Sequence, residues 1–105
     1  MAVLANAFSL NMLSQAKALV SVEQISLEEA KTVLANGFVS AIGHQDTANV
    51  LSNLLGIDVP MNRVNVVLDN DTTLIVAQYK GPRLPEGSTT LPEGAKIEFY
   101  RVKLV

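Results

Sequence analysis

The sequence predicts a single α+β domain, and three observations lead to that prediction. The chain has 105 residues, a length that suits one domain with one modest core. Strand-like patterns occur along its whole length, and two helix-like segments lie between them. Apolar residues make up 49% of the chain, which argues against disorder. We therefore expect residues 1–105 to fold as one unit that contains both helices and strands.

The first half of the chain carries three strand patterns and one well-marked helix. Ser26 begins a capping-box pattern, with Glu29 three residues later. Apolar residues then recur at helical spacing until Gly37, where we expect the helix to end. The first strand has the composition of a strand that is buried on both faces. The predicted strands cover residues 2–7, 19–25 and 38–42.

The second half of the chain carries a second helix and then a predicted β-hairpin. Asp46 or Thr47 is suited to cap a helix that ends at Gly56. Alternating apolar residues on either side of a turn at 69–72 predict that 63–79 forms two paired strands. A loop rich in Gly and Pro follows, and the alternating pattern of 96–105 predicts a final strand.

The only histidine of the chain lies in the turn between the third strand and the second helix. We expect Gly43 to supply backbone freedom for this turn, immediately before His44. A helix N-terminus directs backbone N–H groups and a positive dipole end at an anion in front of it. Because imidazole titrates near neutral pH, His44 beside such a site suits phosphate chemistry. A surface histidine in an ordinary turn is the alternative interpretation.

Composition excludes several classes of site. The chain has no cysteine, so disulfides and thiolate chemistry are excluded, and its single histidine argues against a zinc site. A net charge of −2 argues against general nucleic-acid binding. The N-terminus lacks the basic residues of a targeting signal, and no apolar run approaches membrane-spanning length. We expect a soluble intracellular protein that uses no metal or cofactor and binds neither DNA nor membranes.

A cluster of small polar residues follows the first predicted strand. It consists of Asn6, Ser9 and Asn11. Such residues bond readily to their own backbone, so turn chemistry explains them. They equally suit a set of neutral hydrogen-bonding groups for a ligand, and the local sequence does not decide between the two.

Four separated segments of the chain match one known family in order. They are Leu4 to Leu13, Ala41-Ile42-Gly43-His44 with the helix after it, Asn62-Arg63-Val64, and Arg83-Leu84-Pro85-Glu86-Gly87. On these segments the chain resembles the viral type III anti-CRISPR ring nucleases, a family that also has cellular relatives. The resemblance implies a mixed β-sheet flanked by helices and assembled as a homodimer.

The resemblance also implies an activity. Members of the family bind cyclic tetra-adenylate, the second messenger of type III CRISPR systems. They cleave it without a metal into linear di-adenylate that ends in a 2′,3′-cyclic phosphate. This reaction silences the nucleases that the messenger activates. In a viral protein, the expected site of action is the cytoplasm of the host.

The functional residues of the family fall on named positions of this chain. The catalytic histidine falls on His44, and the arginine and glutamate of the mobile loop fall on Arg83 and Glu86. Substrate-binding positions fall on the remaining candidates. These are Asn6, Ser9, Asn11, Arg63 and Gln78.

The residue types fit the chemistry that the resemblance implies. Cleavage to a cyclic phosphate uses the ribose 2′-hydroxyl as nucleophile, so the protein must mainly align that oxygen with the leaving group. His44 suits the general acid, and Arg63 or Arg83 suits charge stabilisation at the phosphate. Two alternatives remain. One is a module of the same fold that sequesters a cyclic oligonucleotide without cutting it, and the other is a regulatory dimer.

Overall fold

The computed structural model describes all 105 residues, which form two α-helices, five β-strands and one 3₁₀ turn. The strands are β1 (Ala2–Ala5), β2 (Val20–Ile25), β3 (Val39–Ser40), β4 (Thr73–Lys80) and β5 (Lys96–Leu104). The helices are α1 (Leu27–Ala35) and α2 (Gln45–Leu55), and the 3₁₀ turn covers Leu10–Met12. The predicted α+β class is confirmed. Neither α-helix has the length and apolar character that a membrane-crossing segment requires.

All five strands belong to one mixed sheet in the order β2-β5-β4-β1-β3. β1 pairs in parallel with two neighbours, so that Leu4 lies opposite Ser40 of β3 and Ile75 of β4. β5 runs antiparallel to both β4 and β2. The mixed sheet that the resemblance implied is therefore confirmed. Because β3, β1 and β4 are parallel, their carboxyl ends lie at the same edge of the sheet.

Both helices pack on one face of the sheet. Ser26 caps α1 as predicted, since its side-chain oxygen accepts a hydrogen bond from the Glu29 N–H at 3.1 Å. Apolar side chains of both helices meet the sheet in the larger core cluster. Its buried members are Leu4, Ile25, Ala30, Leu34, Ile42, Ala48, Leu51, Leu55, Val59, Ile75, Ala77 and Phe99. Helices therefore flank the sheet on one side only.

Irregular chain covers part of the opposite face. A smaller core cluster lies there, and neither helix contributes to it. Its buried members are Val3, Ala5, Leu68, Leu74, Val76 and Val102. The central strand β1 contributes to both clusters, with Val3 and Ala5 on this face and Leu4 on the other. The prediction that the first strand is buried on both faces is confirmed.

The predicted hairpin over 63–79 is wrong. Only its second half is a strand, because β4 already pairs with β1 on one side and with β5 on the other. A strand has two edges, so no place remains beside β4 for residues 63–68. These residues follow the surface instead, and Leu68 makes a single parallel bridge to Leu13. The turn at 69–72 is present, held by hydrogen bonds from Asp71 N–H and the Thr72 hydroxyl to the Asp69 carboxylate.

The start of α2 also differs from the sequence-based prediction. His44, not Asp46 or Thr47, is the N-cap, and its carbonyl oxygen accepts a hydrogen bond from the Ala48 N–H at 3.0 Å. The helix therefore begins earlier and places Asp46 in its first turn. Gly43 is not among the residues with positive φ, so its predicted conformational freedom is not used. Gly56 ends the helix in the left-handed region as predicted.

Residues 60–63 support the short strand β3 and the turn after it. The Asn62 N–H donates to the carbonyl of Ile42 at 2.8 Å, and its side-chain amide donates to the carbonyl of Ser40 at 2.7 Å. The Ser40 hydroxyl donates in return to the Pro60 carbonyl at 2.6 Å. These bonds satisfy buried or half-buried polar groups, although β3 has only two residues. They fix the backbone that leads to His44.

Candidate active site

The predicted site residues lie at one edge of the sheet. Each of the three parallel strands leads into a segment that carries some of them. Asn6 follows β1, His44 follows the chain that leaves β3, and Arg83 and Glu86 follow β4. Residues that are far apart in the sequence therefore lie at the same edge of the sheet. Clefts at this position are common ligand sites in sheets of this kind.

His44 projects an unrestrained side chain at the start of α2. Its backbone is extended, with φ −137° and ψ 130°, and its ring makes no capping hydrogen bond. The residue is exposed. The first-turn N–H groups of α2 lie beside it and have no partners within the helix. An anion near His44 would therefore meet both an imidazole and the positive end of a helix dipole.

An open cavity of about 550 Å³ brings together the three predicted catalytic residues. It lies between the first turn of α2 and the loop after β4. His44 and Asp46 come from α2, and Arg83 and Glu86 come from the loop. The complete lining is His44, Asp46, Arg83, Leu84, Pro85 and Glu86. We call this space the catalytic cavity, after the roles predicted for His44, Arg83 and Glu86.

Several contacts fasten the loop of residues 81–95 to the body of the protein. Leu84 lines a smaller cavity of about 240 Å³ together with Val50 of α2 and Ile97 of β5. The Gly87 N–H donates to a carboxylate oxygen of Asp46 at 3.1 Å. No helix occurs in this loop.

The polar residues after β1 line a second, neighbouring cavity of about 590 Å³. Asn6, Ser9 and Asn11 all belong to its lining, and residues 64–67 form the opposite wall. The Ser9 hydroxyl also accepts a hydrogen bond from the Asn11 N–H at 3.2 Å, so turn chemistry explains part of this cluster. The side chains of Asn6 and Asn11 make no hydrogen bond and remain available to a ligand.

Gln78 lines the smaller cavity of about 240 Å³, and Asn6 belongs to the same lining. The side chain is half-buried, and its amide donates only a long hydrogen bond of 3.4 Å to the carbonyl of Tyr79. Gln78 is therefore adjacent to the predicted binding residue Asn6.

Arg63 is the predicted site residue that lies apart from these cavities. Its guanidinium donates to the carbonyl oxygen of Gly43 through Nε at 3.2 Å and through Nη2 at 2.9 Å. The side chain packs against Gly43, where an added Cβ would lie 3.6 Å from Arg63 Cγ. In this structure Arg63 supports the backbone immediately before His44.

The charges around the site fall into two groups. Two carboxylates (Asp46 and Glu86), one guanidinium and one imidazole line the catalytic cavity. Lys80 is the last residue of β4, immediately before the loop. Its ammonium group forms an ion pair with the Glu98 carboxylate. The hydrogen bond from Lys80 is the main reason why the pKa of Glu98 is lowered to about 2. No group of three or more His, Asp or Glu side chains is arranged to hold a metal ion.

Sequence reasoning missed Asp46 as a member of the site and treated it only as a possible helix cap. Its signal in the sequence is weak, because acidic residues are common in the first turn of any helix. The structure places its carboxylate half-buried in the lining of the catalytic cavity and in contact with the loop.

The sequence of this chain is similar to those of several uncharacterised viral proteins. ORF117, an uncharacterised protein of Acidianus two-tailed virus, is 38% identical over 97 residues, which cover 85% of this chain and 81% of the relative. Protein 26, an uncharacterised protein of Sulfolobus islandicus filamentous virus, is 39% identical over 69 residues, which cover 65% of this chain. The match spans 58% of the length of protein 26.

A solved structure agrees with the whole fold. B116 of Sulfolobus turreted icosahedral virus (STIV) superimposes with a TM-score of 0.82 at 28% sequence identity, over 97% of each chain. A model of the family described as STIV B116-like matches residues 2–101. Since this match includes every strand and helix apart from the last residues of β5, the chain belongs to the STIV B116-like family of viral proteins.

Proposed function

We propose that the protein is a metal-independent ring nuclease that cleaves cyclic tetra-adenylate to linear di-adenylate with a 2′,3′-cyclic phosphate. The observation that carries the proposal is the catalytic cavity, in which His44, Arg83 and Glu86 lie together beside the N-terminus of α2. The resemblance places the catalytic histidine of the family on His44, and the arginine and glutamate of its mobile loop on Arg83 and Glu86. By removing the messenger in the host cytoplasm, the protein would switch off the nucleases that type III CRISPR systems activate.

In the proposed reaction, the ribose 2′-hydroxyl oxygen attacks the adjacent phosphorus while the bond from phosphorus to the 5′-oxygen breaks. The protein must hold the attacking and leaving oxygens in line, which is a positioning effect that requires no protein nucleophile. His44 donates a proton to the leaving 5′-oxygen. The exposed imidazole lies at the N-terminus of α2, where a bound phosphate would be close to it.

Arg83 and Glu86 complete the proposed chemistry from the loop. The Arg83 guanidinium stabilises the negative charge that develops on the phosphorane oxygens. Glu86 accepts the proton of the 2′-hydroxyl, because its carboxylate lines the cavity and makes no hydrogen bond or ion pair within the protein. The protons and charges then balance, with one proton lost from the 2′-oxygen and one gained by the 5′-oxygen.

The second cavity is the proposed binding surface for the rest of the ring. Asn6, Asn11 and Ser9 offer neutral donors and acceptors there, and Gln78 adds an amide in the smaller cavity whose lining also includes Asn6. Neutral groups can hold sugar and base edges without the cost of burying charge. Arg63 binds substrate in this proposal only through the N–H groups that Gly43 does not occupy.

The proposed active species is a homodimer. A cyclic tetranucleotide has rotational symmetry, and a two-fold dimer would present His44 and Arg83 twice around it. That arrangement lets one histidine per chain act at two opposite linkages. It also doubles the positive charge that faces four phosphates, which matters for a chain whose net charge is −2.

The test is to incubate the purified protein with cyclic tetra-adenylate in excess chelator and to resolve the products by chromatography. Wild type is expected to release di-adenylate with a cyclic phosphate, and His44→Ala is expected to be slower by about 10²-fold or more, the usual contribution of a general acid. Gln45→Ala is the matched control, because Gln45 is the exposed neighbour of His44 and bonds only to Asn49. The control should cleave at the wild-type rate.

Two outcomes would contradict the proposed enzymatic mechanism. Tight binding without product from wild type would indicate a protein that sequesters the ring. An equal rate from wild type and His44→Ala would remove His44 from the mechanism.

A further inference from the structure

We propose that Asp46 is a positioning residue that locks the loop after β4 onto α2, so that Arg83 and Glu86 face His44. The consequence for catalysis rests on the proposed nuclease function, whereas the lock itself is a property of the unliganded protein. Asp46 does not touch the reacting atoms in this proposal. It acts through the backbone of the loop that carries Arg83 and Glu86.

The position of Asp46 links the loop to His44 through a rigid element. Asp46 lies two residues after His44, in the first turn of α2, and its carboxylate accepts a hydrogen bond from the Gly87 N–H at 3.1 Å. This bond joins residues that are 41 positions apart in the sequence. Since α2 packs into the main core through Ala48, Leu51 and Leu55, its first turn is a fixed point for the loop.

Within residues 83–88, the bond to Asp46 is the only hydrogen bond to the rest of the chain, and the flanking bonds are those from the Tyr79 hydroxyl to the Pro82 carbonyl and from the Asn53 side-chain amide to the Thr89 carbonyl. The other hydrogen bonds in this segment are internal, since the Ser88 N–H and hydroxyl both donate to the carbonyl of Pro85. They close residues 85–88 into a tight turn that carries Glu86. At one end of the segment Leu84 lines the cavity beside α2, and at the other end Asp46 holds the Gly87 N–H.

The charge of Asp46 argues for positioning and against a direct role in substrate binding. A carboxylate in the lining of the cavity repels the phosphates of an anionic ligand. Its placement is understandable if its oxygen is needed by the Gly87 N–H, because a charged acceptor makes a stronger hydrogen bond than a neutral one. The positive end of the α2 dipole further favours a carboxylate in the first turn.

The test compares Asp46→Ala, which loses the acceptor, with Asp46→Asn, which keeps an oxygen that the Gly87 N–H can reach. Amide hydrogen exchange of Gly87 is measured by NMR without any ligand, with the core amides of α1 as an internal reference for global unfolding. Asp46→Ala is expected to raise the Gly87 exchange rate about tenfold, the effect of losing one hydrogen bond. Asp46→Asn should stay within about threefold of wild type.

The second readout is cleavage of cyclic tetra-adenylate. Asp46→Ala is expected to lower kcat about tenfold with a smaller change in KM, and Asp46→Asn is expected to restore most of the rate. Asp58→Ala is the matched control, since this exposed carboxylate makes no hydrogen bond or ion pair. Asp58→Ala should leave both the amide exchange rate of Gly87 and the kcat for cyclic tetra-adenylate unchanged.

The two readouts separate the proposals. If Gly87 exchanges at the wild-type rate in Asp46→Ala, the lock does not exist and the inference is overturned. If exchange rises but the wild-type protein does not cleave the ring, the lock stands and the nuclease proposal fails. If wild type cleaves and Asp46→Ala cleaves equally well, Asp46 does not position the catalytic residues.

Discussion

Arg63 illustrates how a single side chain supports the backbone of a site. Its two hydrogen bonds to the Gly43 carbonyl fix the residue that precedes His44. Arg63→Met keeps the aliphatic stem over Gly43 but removes both bonds. We expect the free energy of unfolding to fall by about 1 kcal/mol, the usual net value of a hydrogen-bonded contact of this kind. Denaturant unfolding measures the change.

Arg83→Met is the matched control for this experiment. Arg83 is also an exposed arginine, but it makes no hydrogen bond or ion pair within the protein. Its replacement is expected to leave the stability within about 0.5 kcal/mol of wild type, as is usual for surface positions. Equal losses in the two variants would contradict the supporting role of Arg63.

The sequence contained most of the information needed to find the candidate site. His44, Arg83 and Glu86 were predicted through the resemblance, and the structure brings all three to one cavity. The sequence did not indicate that the Arg63 guanidinium turns toward Gly43, because that contact depends on the path of residues 60–63 beside β3. Asp46 was missed for a similar reason, since its partner lies 41 residues away.

Secondary structure was predictable where local signals act alone. The capped start of α1, the left-handed Gly56 after α2 and the alternation of β5 are confirmed. The hairpin over 63–79 failed, and its alternating apolar residues do not share one buried face, since Leu68 is buried but Val64 is 48% exposed. A period of two does not report which strand is the neighbour. The parallel pairing of β1 with β4 depends on contacts across the whole chain.

The pair of strands β4 and β5 carries an acid-sensitive contact. Glu98 of β5 accepts hydrogen bonds from Lys80 of β4 and from the Tyr100 hydroxyl, and its side chain is only 19% exposed. The bond from Lys80 is the largest of the causes that lower the pKa of Glu98 from 4.5 to about 2. Because the folded protein favours the carboxylate, this contact stabilises the fold above pH 4.5.

Glu98→Gln tests this contact through its pH dependence. The stabilisation by Glu98 is fully present above the pKa of the unfolded chain and is lost as the pH falls through the pKa of the folded protein. Wild type is expected to exceed Glu98→Gln in melting temperature at pH 6. The gap should close between pH 4.5 and about 2. Glu93→Gln, which removes an exposed carboxylate in the preceding loop, is the control for the loss of one negative charge.

On the scale of the whole molecule, the parallel strands explain why the site lies where it does. The chain leaves β1, β3 and β4 at one edge and does so through segments that are not needed for the sheet. These segments are free to carry polar residues, since the core clusters lie on the two faces of the sheet. Both neighbouring cavities therefore open at this edge.

The surface next to the second cavity is the expected contact between copies of the chain. Met61, Val64 and Val67 are 46%, 48% and 57% exposed and lie in one segment outside the sheet. Exposed apolar residues grouped in this way are typical of association sites. Because residues 64–67 also form a wall of the cavity that contains Asn6, a second copy bound here would complete the proposed ring-binding surface.

The double variant Val64→Asp with Val67→Asp tests the dimer. Light scattering of wild type is expected to give twice the chain mass of 11.3 kDa, and the double variant is expected to be monomeric, because burying two new carboxylates at an interface is costly. Leu19→Asp is the control and should keep the mass of wild type. Leu19 is 73% exposed and lies just before β2, the outermost strand on the side of the sheet opposite β3. A monomeric wild type that still cleaves cyclic tetra-adenylate would show that one chain suffices. The double variant is used for the mass measurement alone, because Val64 and Val67 also line the proposed ring-binding surface.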